Sequence, residues 1–90
     1  MRRRVVVTGI GCVTPVGNDV GAMWDALLTG RSGVARTTVF DASMFPTQIS
    51  AEVKQFEMAR YGESDSDWAH VSRHTRFAIA AAKQAVRDSG

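Results

Sequence analysis

Val5-Val6-Val7 is an unbroken β-branched run, set between a basic start, Arg2-Arg3-Arg4, and a glycine-bearing stretch, Thr8-Gly9-Ile10-Gly11. Side chains alternate faces along a strand, so three valines in a row predict a strand buried on both sides. Such a strand needs neighbours along its edges and cover on its faces. The remainder of the 90 residues predicts at most one further strand and two helices. A chain of this length buries somewhat over ~60% of its unfolded surface, so a core of its own is marginal. The expectation is the start of a longer α/β protein.

After the valines, Thr14-Pro15-Val16-Gly17 reads as a turn. Asn18 is placed to cap a helix, and Asp19 suits the positive end of its dipole. Val20, Met23, Trp24, Leu27 and Leu28 then recur at helical spacing as one apolar stripe, and Gly30 supplies a left-handed stop. Residues 31–46 read as irregular, with Gly33 and Pro46 as punctuation and Phe40 and Phe45 as anchors. Ile49, Ala51 and Val53 alternate with Ser50 and Glu52, which predicts a short strand with one polar face. Residues 57–67 form a polar connection that holds Gly62 and the acids Glu63, Asp65 and Asp67. A second helix is predicted from Ser72 to Asp88, with a mostly alanine face of Phe77, Ala78, Ala81, Ala82, Ala85 and Val86. Small residues let a helix approach its neighbour closely. Gly90 is placed to end it.

Charge and cysteine usage remove several classes. Eleven basic against nine acidic residues leave a net charge of +2, too little to attract nucleic acid in bulk. One cysteine cannot form an internal disulfide, which fits a reducing, cytoplasmic setting. No apolar run approaches the ~18 residues of a membrane span. The start, Met1 to Val7, has the outline of a signal peptide, but Thr8, Gly9 and Gly11 break the apolar stretch and no cleavage pattern follows. It is expected to belong to the mature fold.

Four features invite chemistry, and each has a plainer explanation. Gly9-Ile10-Gly11 after a strand suggests a dinucleotide fingerprint, but the third small residue is due at position 14, which is Thr14, with Pro15 behind it. The following helix starts too late to cradle a pyrophosphate. Cys12 lacks a helix start or cationic neighbours to activate its thiol and is expected to be buried and inert. His70 and His74 have a helical spacing, but no third ligand stands nearby, so no metal is expected. Arg73 and Arg76, with Lys83 and Arg87 beyond, place positive charge along the second helix. A solvated face is the plain reading; docking of an acidic partner is the functional one.

The blocks together resemble the β-ketoacyl-acyl-carrier-protein synthases, the condensing enzymes of fatty acid and polyketide synthesis. The resemblance rests on Arg3-Arg4-Val5-Val6-Val7-Thr8-Gly9-Ile10-Gly11, Thr14-Pro15-Val16-Gly17-Asn18 and Trp24-Asp25-Ala26-Leu27-Leu28. It continues through Gly30-Arg31-Ser32-Gly33, Phe40-Asp41-Ala42-Ser43 and Ala51-Glu52-Val53-Lys54. It closes on Phe77-Ala78-Ile79-Ala80-Ala81-Ala82-Lys83 and Asp88-Ser89-Gly90, in register over nearly the whole chain.

What the resemblance implies is an α/β, thiolase-like fold. Residues 1–90 would supply the first strand, the first two helices and the connecting segments of its N-terminal half, as the N-terminal portion of a β-ketoacyl synthase N-terminal domain. It implies an acyltransferase that runs a decarboxylative Claisen condensation between an acyl thioester and malonyl carrier protein, acts as a homodimer and uses no cofactor. The nucleophilic cysteine and its partners would lie beyond residue 90, so no catalytic residue is expected in 1–90 and the isolated chain is expected to be inactive. A non-catalytic, chain-length-factor-like partner of a condensing enzyme fits the same residues. Family members often carry cations before the second helix, facing the acidic carrier. This chain instead has Asp65-Ser66-Asp67-Trp68-Ala69-His70-Val71-Ser72 there. Arg73 and Arg76 are therefore the residues expected to face the carrier protein.

Overall fold

The structure, a computed structural model, describes residues 2–90; Met1, the first residue of the leader-like segment, lies outside them. The elements are α1 (Val20–Thr29), β1 (Val34–Arg36), β2 (Ile49–Ala51), a 3₁₀ turn over Met58–Tyr61, and α2 (Arg73–Asp88). They fall into two compact units. One joins the N-terminal segment through Cys12 with Glu57–Gly90; the other is Val13–Phe56.

In the first unit the long element is α2. Ser72 precedes it in an extended conformation, and the Arg76 N–H bonds the Ser72 carbonyl to open the ladder. Ser89, rather than the expected Gly90, caps its end, and Gly90 follows at φ 81° in the left-handed region. The alanine face does allow a close neighbour, and that neighbour is the glycine pair. A Cβ built on Gly9 would lie 2.2 Å from the Ala85 carbonyl oxygen, and one on Gly11 would lie 2.1 Å from that of Ala81. Backbone meets backbone there, which only glycine permits. The 3₁₀ turn, expected only as polar connection, buries Met58 and Tyr61. Gly62, at φ 81°, ends it.

The valine run departs from expectation. Val5–Val7 joins no ladder among the described residues, and Val5 and Val7 are 94% and 81% exposed. A strand exists only when another backbone takes its N–H and C=O groups, and the paired strands here, β1 and β2, lie in the other unit.

In the second unit α1 is capped by Asp19 rather than Asn18: Asp19 Oδ1 accepts the Ala22 N–H at 2.7 Å. Asn18 is used elsewhere, its Nδ2 donating to the Lys54 carbonyl at 2.8 Å. Gly30 ends α1 at φ 70°. Residues 31–46 are not wholly irregular, because β1 lies within them and pairs antiparallel with β2, Val34 opposite Ala51 and Arg36 opposite Ile49. Ser50 is the more covered residue of β2, its hydroxyl 2.8 Å from that of Thr37, while Ile49 and Ala51 face outward. Phe40 and Phe45 meet edge to face, with ring centroids 5.9 Å apart, yet both stay more than half exposed. On α1 only Ala26 is buried; Trp24, Leu27 and Leu28 are exposed. Apolar side chains that ordinarily fill a core thus form surface in both units.

Candidate functional site

The N-terminal end of α2 brings together the residues singled out for an acidic partner. Arg73 and His74 open the helix, and Arg76 stands three residues on, one turn from Arg73. The Arg73 guanidinium lies 4.9 Å from the Phe77 ring centroid, a cation–π geometry that holds the charge over the helix surface. Arg76 is half-buried, and its Nε hydrogen has no acceptor. The Ser72 hydroxyl sits 3.0 Å from Thr75 Oγ1 and 3.3 Å from His74 Nε2. Both His70 and His74 are exposed. Among the described residues, no three His, Cys, Asp or Glu side chains converge as a metal site.

The acidic stretch that displaces the expected cations is partly occupied with the fold. Asp65 Oδ1 accepts the Met58 N–H at 2.8 Å and so fixes the start of the 3₁₀ turn. Glu63 pairs with Lys83 on α2 and accepts the Trp68 indole N–H at 3.1 Å. Lys83, and after it Trp68, holds the Glu63 carboxyl below its ordinary range. Two of the three acids thus face inward partners, and Lys83 is committed to one of them. What remains displayed at this end is Asp67, His70, Arg73 and His74.

The other candidates resolve into structure. The glycine pair leaves no cradle for a phosphate, since helix backbone already fills the space a side chain would take. Cys12 is half-buried, and both its backbone groups meet the Gln84 side chain. Further along α2 an open apolar groove of about 620 Å³ is lined by Tyr61, Ile79, Ala82, Lys83, Val86 and Arg87. None of these gathers a nucleophile, base and oxyanion donors. No helix is long and apolar enough to cross a membrane among these residues.

Gln84, Asp88, Glu52 and Lys54 carry more of the structure than their sequence context suggests. No periodicity marks them. Most of their partners are backbone groups distant in sequence and brought close by folding.

Comparison with known proteins agrees with the family resemblance over the same span. The family profile described as "Beta-ketoacyl synthase, N-terminal domain" matches residues 2–90. The chain is 51% identical over 89 residues to a 3-oxoacyl-[acyl-carrier-protein] synthase 2 of Coxiella burnetii, covering 99% of this chain and 21% of that protein. It is 44% identical to the Vibrio harveyi protein of the same name, with the same coverage. A Streptomyces halstedii protein bearing a polyketide β-ketoacyl synthase name is 41% identical over 90 residues, again 21% of its length. Among solved structures, the ishigamide ketosynthase/chain length factor superposes with a TM-score of 0.82 at 37% identity, covering all of this chain and 22% of that one. The chain therefore spans about a fifth of the length of these relatives.

Proposed function

The chain belongs to the β-ketoacyl synthase family, and from that premise we propose that residues 1–90 are the N-terminal portion of the N-terminal domain of a condensing enzyme. The observation that carries the proposal is the unbroken family match over residues 2–90. Its fold is the thiolase-like one of the ketosynthase neighbour. The outward valines of the N-terminal segment and the outward Ile49 and Ala51 of β2 suit elements that more protein would cover.

The reaction proposed for the whole protein joins two acyl thioesters. A cysteine thiolate outside these residues takes the acyl group from carrier protein as a thioester. Malonyl carrier protein loses CO₂, and the electron pair of the broken C–C bond attacks the acyl carbonyl carbon. The new C–C bond forms from that pair as the C–S bond breaks, and the cysteine thiolate leaves with the C–S bonding pair. Residues 1–90 contribute scaffold and, through Arg73 and Arg76, a face for the acidic carrier protein. Charge there would steer the encounter more than it would hold the complex. The protein is proposed to be a cytoplasmic homodimer that needs no cofactor.

A second reading keeps the fold without the chemistry, as a chain-length-factor-like partner. It is favoured by the solved neighbour, a ketosynthase/chain length factor. One assay separates the two. The intact protein is given acyl and malonyl carrier protein, and CO₂ and the elongated thioester are followed together. Condensation that disappears when the cysteine of a Thr-Ala-Cys segment is replaced supports the enzyme. Absence of that cysteine, with condensation only in the presence of a partner subunit, supports the second reading. No condensation in either setting refutes both.

A further inference from the structure

Lys54 follows β2; its side chain is exposed, and its ammonium meets three backbone oxygens. Nζ donates to the Glu52 carbonyl at 2.8 Å, the Gly33 carbonyl at 2.9 Å and the Pro15 carbonyl at 3.2 Å. These belong to the residue after β2, the residue before β1 and the Thr14–Gly17 turn. An ammonium has three N–H donors and no acceptor, so the three carbonyls use its whole donor capacity. The nearby Glu52 carboxylate spends its short contacts on the Thr38 and Val39 backbone N–H groups and the Thr38 hydroxyl. The charge of Lys54 is therefore met at close range by carbonyl dipoles. Three carbonyl oxygens converging on one positive centre are also the ligands that a weakly hydrated cation takes in place of water.

We propose that the Pro15, Gly33 and Glu52 carbonyls form a monovalent-cation site whose resident ligand is the protein's own Lys54 ammonium. With the amine removed and space left behind, the site takes a free cation of the same charge and similar size, ammonium or potassium. Magnesium is unsuited, since it demands near-ideal octahedral geometry and gives up its waters reluctantly. The tethered amine makes this corner of Val13–Phe56 independent of the ions in the medium. It also explains a lysine that sits among carbonyls rather than against a carboxylate.

Two variants of the intact protein test this. Lys54→Ala vacates the site, whereas Lys54→Met keeps a stem of similar length with an apolar end where the ammonium stood. Thermal unfolding is followed in choline, ammonium and potassium chlorides at equal ionic strength. The unmodified protein is expected to melt alike in all three. Lys54→Ala is expected to melt lower in choline and to recover much of the loss in ammonium or potassium, while Lys54→Met melts lower and does not recover. Equal melting of Lys54→Ala in all three salts overturns the proposal, as does equal recovery by both variants, which would mark a general salt effect. Should the variants fail to fold, acetic anhydride labelling of the unmodified protein decides. Lys54 is expected to react several-fold more slowly in the native than in the urea-unfolded protein, and equal rates overturn the site.

Discussion

The side-chain amide of Gln84 pairs with both backbone groups of Cys12, its Nε2 donating to the carbonyl oxygen at 2.9 Å and its Oε1 accepting the N–H at 3.3 Å. One turn further along α2, Asp88 Oδ2 accepts the Ile10 N–H at 3.0 Å. Four residues of helix rise ~6 Å, and two residues of extended chain advance ~6.7 Å. Side chains four apart on α2 can therefore meet alternate N–H groups of a strand-like segment. In this unit α2 supplies what a neighbouring strand would.

Replacing Gln84 by Met keeps the volume and deletes this pairing. Partly covered backbone groups then lose a partner, at an expected cost of ~1–3 kcal/mol in urea unfolding of the intact protein. Gln84→Glu should lose the donor to the Cys12 carbonyl and regain one on protonation, so its deficit should shrink toward low pH. An unchanged unfolding midpoint for Gln84→Met would mean the pairing contributes nothing.

Glycine positions offer a contrast with opposite signs. Gly11→Ala places a methyl 2.1 Å from the Ala81 carbonyl oxygen and 2.9 Å from the Ala85 nitrogen, both backbone atoms. Relieving that overlap must shift the helix or the segment, costing ~1–3 kcal/mol. Gly21 lies inside α1 with nothing nearer than Asp19 Oδ1 at 3.5 Å. Gly21→Ala should stabilise by ~0.5 kcal/mol through helix propensity. Chemical denaturation of both variants checks the pair, and a Gly11→Ala protein as stable as its parent would rule out the close approach.

These contacts also mark where sequence reasoning stops. The two helices, the Gly30 stop and the small-residue contact face of α2 were legible, because period and capping are local properties. The cap of α1 falls on Asp19, whose Oδ1 accepts the Ala22 N–H, while the Asn18 amide donates to the carbonyl of Lys54, 36 residues away. β1 escaped notice because Val34-Ala35-Arg36 has no alternation of its own; pairing with Ile49–Ala51 defines it. Met58 and Tyr61 looked like part of a polar connection until folding buried them. Val5–Val7 shows the converse: local propensity for a strand is plain, but no ladder forms without a partner backbone.

Acid should loosen the β1–β2 unit in a way traceable to Glu52. Its carboxylate accepts the Val39 N–H at 3.0 Å and the Thr38 hydroxyl at 2.8 Å, and these bonds hold its carboxyl below the ordinary 4.5. A depressed folded pKa means the charged form is favoured by folding. That contribution is full above the unfolded value and is lost as pH falls through the folded one. Glu52→Gln should therefore reduce stability near neutrality and flatten its fall below pH 4.5. Amide exchange at Thr38 and Val39 across that range reads it locally. A Glu52→Gln protein with the parent's acid profile would assign the fall to other carboxylates.

Residues 1–90 expressed alone should show no cooperative thermal transition by circular dichroism. Trp24, Leu27, Leu28, Phe40, Phe45, Val5, Val6 and Val7 all stand more than half exposed. With so little apolar surface buried, the gain that ordinarily offsets chain entropy is missing. Helical signal that melts gradually, with binding of a hydrophobic dye before heating, is the expected picture. A sharp monomeric transition would show that these residues form a stable core without further protein.

The proposed carrier-facing role of Arg73 and Arg76 can be tested at both positions, which predict different side effects. Arg73 is exposed, with its guanidinium over the Phe77 ring, so reversing its charge removes that ring contact. Arg76 is half-buried, so Arg76→Gln is the safer change there. Exposed ion pairs are worth ~0.2–1 kcal/mol each, so Arg73→Glu with Arg76→Gln should raise the KM for carrier-bound substrate by ~2–30-fold. Turnover of a malonyl thioester lacking the carrier should not change, which separates docking from damage to the fold. Because such charges act through a screened field, the parent's KM should climb with salt while the variant's climbs less. Equal carrier KM and equal salt slopes in the two proteins would place the docking face elsewhere and return these arginines to the solvated surface of α2.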